Sequence, residues 1–314
     1  MQVKTKTTKK AFTIVELLTV MSIIIILISL LVPALRRVQQ FARQVRQNAQ
    51  FHSIAVGLDL FHNDTGDYPP SNWGDNADDS YCGAMKLAEA MVGQDLLGFH
   101  PDSVFRRDRT NGNPGEYLYI NSNVPYPYNA LYPSYAQNTM ARKKQYVDLD
   151  QANATKMSAI YSDFGDFTND ANDIYVLTDV FEQRMPDGDG DRHGMPILYY
   201  KANTAGNINP NQENDYPYDA NSATDGRRIY LYEDNDELIQ LGVPFDSALD
   251  IHPMDSTNTA TGMGPLENFY WQINNDNIEL FDGRPYKADT YILLSAGEDG
   301  LYGTRDDIYN FQKK

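Results

Sequence analysis

Residues Phe12 to Leu35 read FTIVELLTVMSIIIILISLLVPAL, 24 positions with one ionisable side chain, Glu16. As a helix this run extends roughly 36 Å at ~1.5 Å per residue, enough to cross a hydrocarbon core of ~30 Å. Lys4, Lys6, Lys9 and Lys10 precede it, and Arg36 and Arg37 follow it. The positive-inside tendency keeps the lysine-bearing end cytoplasmic and puts the remainder on the far side of the membrane.

Charge divides at the same place. The first fifty residues hold eight basic side chains and one acid; the rest hold 18 basic and 42 acidic ones. A formal net charge of −17 argues against nucleic acid as a partner, because such binders carry a basic footprint. A single cysteine, Cys82, excludes an intramolecular disulfide framework and a Cys-rich zinc site. At 314 residues and 41% hydrophobic, the chain is long enough for a buried core and too apolar for wholesale disorder.

Three readings of the apolar run compete. A cleaved secretory signal has a shorter apolar region and a small-x-small site at its far end, and VPALRRVQQ fits that poorly. A plain anchor explains the length but leaves Glu16 costly near the start of the run. The third reading gives Glu16 a partner. KKAFTIVELL resembles the type IV prepilin signature, in which a basic leader is cut just before a hydrophobic residue. The resemblance places the cut between Ala11 and Phe12, makes residues 1–11 the leader, and puts Glu16 at the fifth mature position. Pro33 then falls where pilins commonly carry a helix-kinking proline, although a simple kink accounts for it equally. Ala11 stands where the family normally has Gly. Cleavage would create an α-ammonium at Phe12, usually N-methylated in the family, which could neutralise Glu16 in a low-dielectric surrounding.

Beyond Pro33, Val38, Phe41, Val45, Ala49, Ala55, Leu58 and Phe61 recur at roughly helical spacing among polar residues that include Gln47. One helix is predicted from Phe12 to Phe61, with 12–35 as the membrane and assembly segment and 36–62 as its amphipathic continuation. A membrane-proximal coiled coil is the alternative, although strict heptads are missing. HNDTGDYPPS at 62–71 resembles the segment after the long helix in major pseudopilins of type II secretion.

The remaining body, 63–314, is predicted to be an extracytoplasmic head. SYCGAMKLAEAMVGQDLLG reads as one or two helices, with Cys82 a buried small residue. Strands are predicted at 174–180, 195–202, 227–233 and 290–296, and a short helix at 266–273. The expected class is α+β: a pilin-like long N-terminal helix packed on an antiparallel sheet, with a loop-rich insertion at 72–186.

Two acidic loops can be weighed for cations. PDGDGDRHG, with Asp187, Asp189 and Asp191, fails as an EF-hand and reads as a turn before the MPILYY strand. DRHGMPILYY resembles the D-x-W-G-x-P segment of pseudopilins. SAGEDGLYGTRDDIYNF offers Asp299, Thr304, Asp306 and Asp307 among three glycines, an oxygen-only inventory suited to Ca²⁺ or to plain solvation. Its resemblance to the C-terminal loop of major pseudopilins implies a structural Ca²⁺ held by Asp299, Asp306 and Asp307, with the Ala296 carbonyl as a main-chain ligand. No catalytic motif is recognised, and the expectation is a non-enzymatic protein.

The resemblance therefore implies a bacterial inner-membrane protein with a short cytoplasmic N-terminus and a periplasmic head. It would be processed by prepilin peptidase and assembled with other pseudopilin subunits on an inner-membrane platform into a type II secretion pseudopilus or related fibre. An adhesive or DNA-uptake pilin, or a membrane-anchored periplasmic enzyme, are the alternatives.

Overall fold

The computed structural model describes residues 13–72, 81–113, 116–120, 134–161, 174–186, 188–205, 228–246, 251–255, 265–275 and 284–312. The leader, Ala11, Phe12, Asp187 and much of the Tyr/Pro/Asn-rich stretch lie outside them. Contacts divide the chain into two units, residues 1–45 and 46–314.

Helix α1 runs from Ile14 to Thr65 and continues through Pro33. Among the described residues it is the one helix long and apolar enough to span a membrane, and its apolar window is wholly uncovered within the chain. It ends four residues later than the periodicity predicts, through His62-Asn63-Asp64. The reason lies in the terminal turn: Thr65 Oγ1 donates to the Phe61 carbonyl at 2.8 Å, and the Gly66 amide closes on the His62 carbonyl at 2.8 Å. Gly66 has φ +88°, the left-handed geometry that stops a helix.

In the second unit α1 presents Phe51, Ile54, Leu58 and Phe61 to a buried cluster. Gly57 belongs to the same face because a Cβ there would lie 2.7 Å from Val147 Cγ2 and 2.9 Å from Met91 Sδ. Helix α2 (Gly83–Val92) is buried on every side, as an all-round apolar helix must be. Its two charged residues are satisfied internally: Lys86 donates to the Asn72 carbonyl, and Glu89 accepts from Tyr81, Gln94 and Ser103. Cys82, just before it, is buried as expected, and burial pushes its thiol up to about 12.

The rest of the body is built from short pieces. In chain order they are α3 (Tyr135–Ala141), α4 (Leu149–Ala152), β1 (Ala154–Lys156), α5 (Met157–Ile160), β2 (Tyr175–Leu177), β3 (Gln183–Arg184), β4 (Arg192–His193) and β5 (Leu198–Lys201). Then come α6 (Asp236–Gln240), α7 (Pro265–Ile273), β6 (Asn274–Asn275), β7 (Arg284–Pro285), β8 (Tyr291–Ser295) and β9 (Ile308–Tyr309). All strand pairs are antiparallel: β1–β2, β3–β4, β6–β7 and the three-stranded β5–β8–β9. The layout is α+β with small antiparallel sheets.

The β5–β8 pair carries the core. Leu198 faces Leu294 and Lys201 faces Tyr291 in register. Tyr199, Tyr291 and Leu293 join the α1–α2 cluster; Leu198, Tyr200, Ile292 and Leu294 join a second cluster with Leu238, Phe269 and Ile273. Both faces are buried, which explains why TYILLSA reads as a continuous apolar run.

One predicted strand is absent. Residues 228–234 make an isolated bridge and a 3-10 turn (Tyr232–Asp234) rather than a strand. Ile229, Tyr230 and Tyr232 all enter the same cluster. Consecutive residues of a strand point to opposite faces, so Ile229 and Tyr230 could not both do so in one.

Leu58 is fully buried in the α1 cluster. Leu58→Ala is expected to cost about 2–5 kcal/mol of stability, read by denaturant unfolding of the detergent-solubilised chain.

A candidate ion-binding loop and the residues that position it

Strand β8 ends at Ser295 and β9 begins at Ile308, and the two pair directly. The segment 296–307 is therefore a loop fastened at both ends to a buried sheet. Gly297 has φ +72°, and a Cβ there would run into the Asp306 carbonyl, so only glycine fits this crossing.

Inside the loop, three of the predicted residues meet. The Asp299 amide donates to Asp306 Oδ2 at 2.9 Å, and Thr304 Oγ1 donates to Asp306 Oδ1 at 2.5 Å. Asp299 Oδ1 accepts from the Leu301 amide at 2.8 Å, closing a local turn. Asp307 is held separately: its Oδ2 accepts from the Gly303 amide at 2.9 Å, while its Oδ1 is buried with no hydrogen-bond partner among the described residues. Ala296 is buried at the loop's start. Among the described residues, no group of three or more His, Cys, Asp or Glu side chains is placed to hold a metal ion.

The electrostatics follow the crowding. Burial, reinforced by the Asp306 carboxylate, pushes Asp299 up to about 6. Burial opposes ionisation of Asp306 too, but the Thr304 hydroxyl and the Asp299 amide outweigh it and hold that carboxyl below its usual range. Burial drives Asp307 well above the carboxylate range, and the Asp306 and Asp299 charges add to it. Asp299, Asp306 and Asp307 thus share a loop in which these contacts supply amides and a hydroxyl as donors rather than basic side chains.

The residue that sequence reading missed is Asp179. It is fully buried at the end of the β2 segment. Its Oδ1 accepts from the Phe181 amide at 3.1 Å and the Met195 amide at 3.2 Å; its Oδ2 accepts from Ser295 Oγ at 2.8 Å. Ser295 Oγ in turn accepts from the Gly297 amide at 3.2 Å. Asp179 therefore ties the segment before β5 to the start of the acidic loop. In sequence, the acid of the DRHGMP segment that precedes Gly194 is Asp191. In the fold the Gly194 backbone packs on Asp179 instead, and Asp191 sits in the β3–β4 hairpin. There Asp189 binds His193 Nε2 at 3.0 Å and caps the Asp191 amide at 2.8 Å. The signal for Asp179 was a lone acid after an apolar strand, D-V-F, separated from G-M-P by the hairpin.

At the other end of the chain, Glu16 has a local partner. Its Oε2 accepts from the Thr13 amide at 2.9 Å and from Thr13 Oγ1 at 2.8 Å, and the Glu16 amide donates back to Thr13 Oγ1 at 3.2 Å. Thr13-x-x-Glu16 is a capping box, and it satisfies orphan donors of the first turn of α1. Gln47, read as part of the polar face, is buried, and so is Gln50. Gln47 Oε1 accepts from the Val180 amide at 3.0 Å, and Gln50 Nε2 donates to the Thr178 carbonyl at 2.8 Å, bracketing Asp179 from the helix side.

Burial raises Asp179 to about 7. A carboxyl whose folded pKa exceeds its unfolded value favours folding while neutral. That contribution is full below pH ~4 and is lost as pH rises through ~7, with a slope of at most ~1.4 kcal/mol per pH unit. Asp179→Asn removes the titration, so the melting temperature of the variant relative to the parent should climb between pH 5 and pH 8. A constant difference across that range would show that Asp179 does not titrate there.

Comparisons of the chain with family models, curated proteins and solved structures find no match, so its functional reading rests on its residues and their geometry.

Proposed function

We propose that the chain is a structural, non-catalytic subunit of a type II secretion pseudopilus or a related type IV pilus-like fibre, assembled through its N-terminal helix. The observation that carries this reading is the division of labour along α1. Its apolar half has no cover among the described residues, while Gln47, Gln50, Phe51, Ile54, Leu58 and Phe61 are buried in the second unit. An uncovered apolar helix calls for lipid or for equivalent helices of other subunits. The prepilin-like residues Ala11, Phe12, Glu16 and Pro33 supply the chemistry of such assembly. Prepilin peptidase would cut after Ala11, and an inner-membrane platform would add the subunit to its neighbours. Both Thr13 bonds fall on Glu16 Oε2, so Oε1 can meet the ammonium that cleavage would create. The head would lie on the periplasmic side, in keeping with its acidic balance.

Structural Ca²⁺ belongs to the same reading. The residues fit a hard cation in chemistry: Asp299, Thr304 and Asp306 share a glycine-hinged loop, and Asp307 brings a buried carboxylate oxygen with no hydrogen-bond partner. Asp299, Thr304, Asp306, Asp307 and the Ala296 carbonyl are the groups that would hold it. The ion would supply positive charge to crowded carboxylates and so favour their ionised forms.

Two outcomes are expected. Mass spectrometry of the membrane-inserted protein, expressed with a prepilin peptidase, should find an N-terminus at Phe12; a chain still beginning at Met1 would sink the processing step. Adding Ca²⁺ at a hundredfold excess over its dissociation constant should stabilise the protein by about 2.7 kcal/mol, reversed by EGTA. Asp307→Asn should melt no lower than the parent without Ca²⁺, because a neutral amide replaces a carboxyl that burial already keeps protonated, and should lose most of the Ca²⁺ response.

A further inference from the structure

At the opposite end of the β5–β8 pair from the acidic loop, the second unit holds a cleft of about 480 Å³, within the range of small-molecule sites. It involves residues of the 62–71 motif that fibre assembly leaves without a role. We propose that this cleft binds a neutral saccharide, taking a sugar ring between the Tyr68 ring and a polar rim.

Three features point to that ligand class. The first is the floor: Ala202 and Ile229 are buried aliphatic residues, an apolar surface for the C–H face of a ring. The second is Tyr68, half-buried at the wall. Its ring is fixed before any ligand arrives, edge-on to Tyr291 at 5.0 Å between centroids and 4.6 Å from His62, with its hydroxyl donating to Asp59 at 3.3 Å. A pre-oriented aromatic ring gives contact area at low entropic cost.

The third is the charge state of the rim. Asp67 is paired with Lys201 Nζ at 2.5 Å, Asp289 with Arg284 at 2.6 Å, and Asp234 accepts from Ser71 Oγ at 2.5 Å. Each acid that lines the cleft already has a cationic or hydroxyl partner. A free anion would meet carboxylates, and a free cation would have to displace Lys201 or Arg284. A polyol presents alternating donors and acceptors and matches a rim of already paired charges together with the hydroxyl of Thr290. Lys201 outweighs burial at Asp67 and holds that carboxyl below its usual range, so the acid next to Tyr68 is a paired carboxylate.

The test uses the full chain in a detergent without a sugar headgroup. Saturation-transfer difference NMR is run with methyl α-D-glucoside, methyl β-D-galactoside, N-acetyl-D-glucosamine and lactose, and with spermidine and citrate as charged controls. Transfer to the ring protons of at least one saccharide is expected. Tyr68→Ala and Lys201→Met should each weaken that binding about tenfold, equivalent to ~1.4 kcal/mol. Tyr68→Phe keeps the ring and should bind like the parent, as should Met140→Ala on an exposed helix elsewhere. Transfer to none of the four saccharides overturns the proposal. So does transfer unchanged in both Tyr68→Ala and Lys201→Met, loss of binding in Tyr68→Phe, or binding of spermidine or citrate alone. Because the readout is ligand binding to the isolated subunit, it stands or falls separately from processing and fibre assembly.

Discussion

The pairing of β5 with β8 is the constraint on which the rest of the body depends. Four residue pairs, Leu198–Leu294 to Lys201–Tyr291, form a ribbon buried on both faces. Even with β9 beside β8 the sheet is small, and its backbone bonds persist because helices cover both sides. Tyr199 and Leu293 fix where α1 and α2 lie, and Tyr200 and Ile292 fix α7. A one-residue slip would exchange the two faces and send each side chain to the wrong cluster. The ends of the ribbon then place the two candidate sites. Ser295 delivers the acidic loop at one end; Lys201 and Thr290 open the cleft at the other.

Features with a strong local period were legible in the sequence. The long helix, α2, α7 and the two ribbon strands all overlap predicted segments, because apolar spacing sets which face is buried. What failed did so where tertiary partners outvoted the pattern. RRIYLYE alternates like a strand, yet Tyr230 and Tyr232 each send a hydroxyl to a separate carbonyl, of Lys287 and Met254, and the backbone bends to let them. Gln47 and Gln50 look like solvent-facing residues, and only the fold reveals the Val180 amide and Thr178 carbonyl they satisfy. Asp179 was invisible for the same reason: its three donors come from 181, 195 and 295. Glu16 is the opposite case. Its capping partner, Thr13, is three residues away, and the T-x-x-E spacing is legible in the sequence itself.

The stretch read as a loop-rich insertion contains more order than its composition implies. Asp95 and Arg142 form an ion pair at 2.5 Å with both side chains nearly removed from water. Arg142 also donates to the Leu118 carbonyl and Asn138, and its guanidinium lies 5.1 Å from the centre of the Tyr119 ring. Burying two charges costs several kcal/mol per ion, and the added hydrogen bonds are what offset it. Such a pair tolerates few alternative arrangements, because any that separates the charges leaves one of them stranded. Tyr119, which composition alone assigns to irregular chain, is one wall of that arrangement.

The same reasoning explains why two acid-rich places in one body differ in chemistry. A carboxylate in a fold lowers its energy by finding a cation, by accepting hydrogen bonds, or by keeping its proton. At the cleft, Asp67 and Asp289 take the first route and Asp234 the second, so the surface they leave is polar but locally balanced. In the 296–307 loop the chain's own groups supply too few donors. Asp306 takes the Thr304 hydroxyl and the Asp299 amide, which leaves Asp299 and Asp307 to the third route. A proton held that way is replaceable by any stronger electrophile that fits, and a hard divalent ion is the simplest. Net charge alone would have marked both places as cation sites. The deciding quantity is whether each acid already has its partner inside the chain.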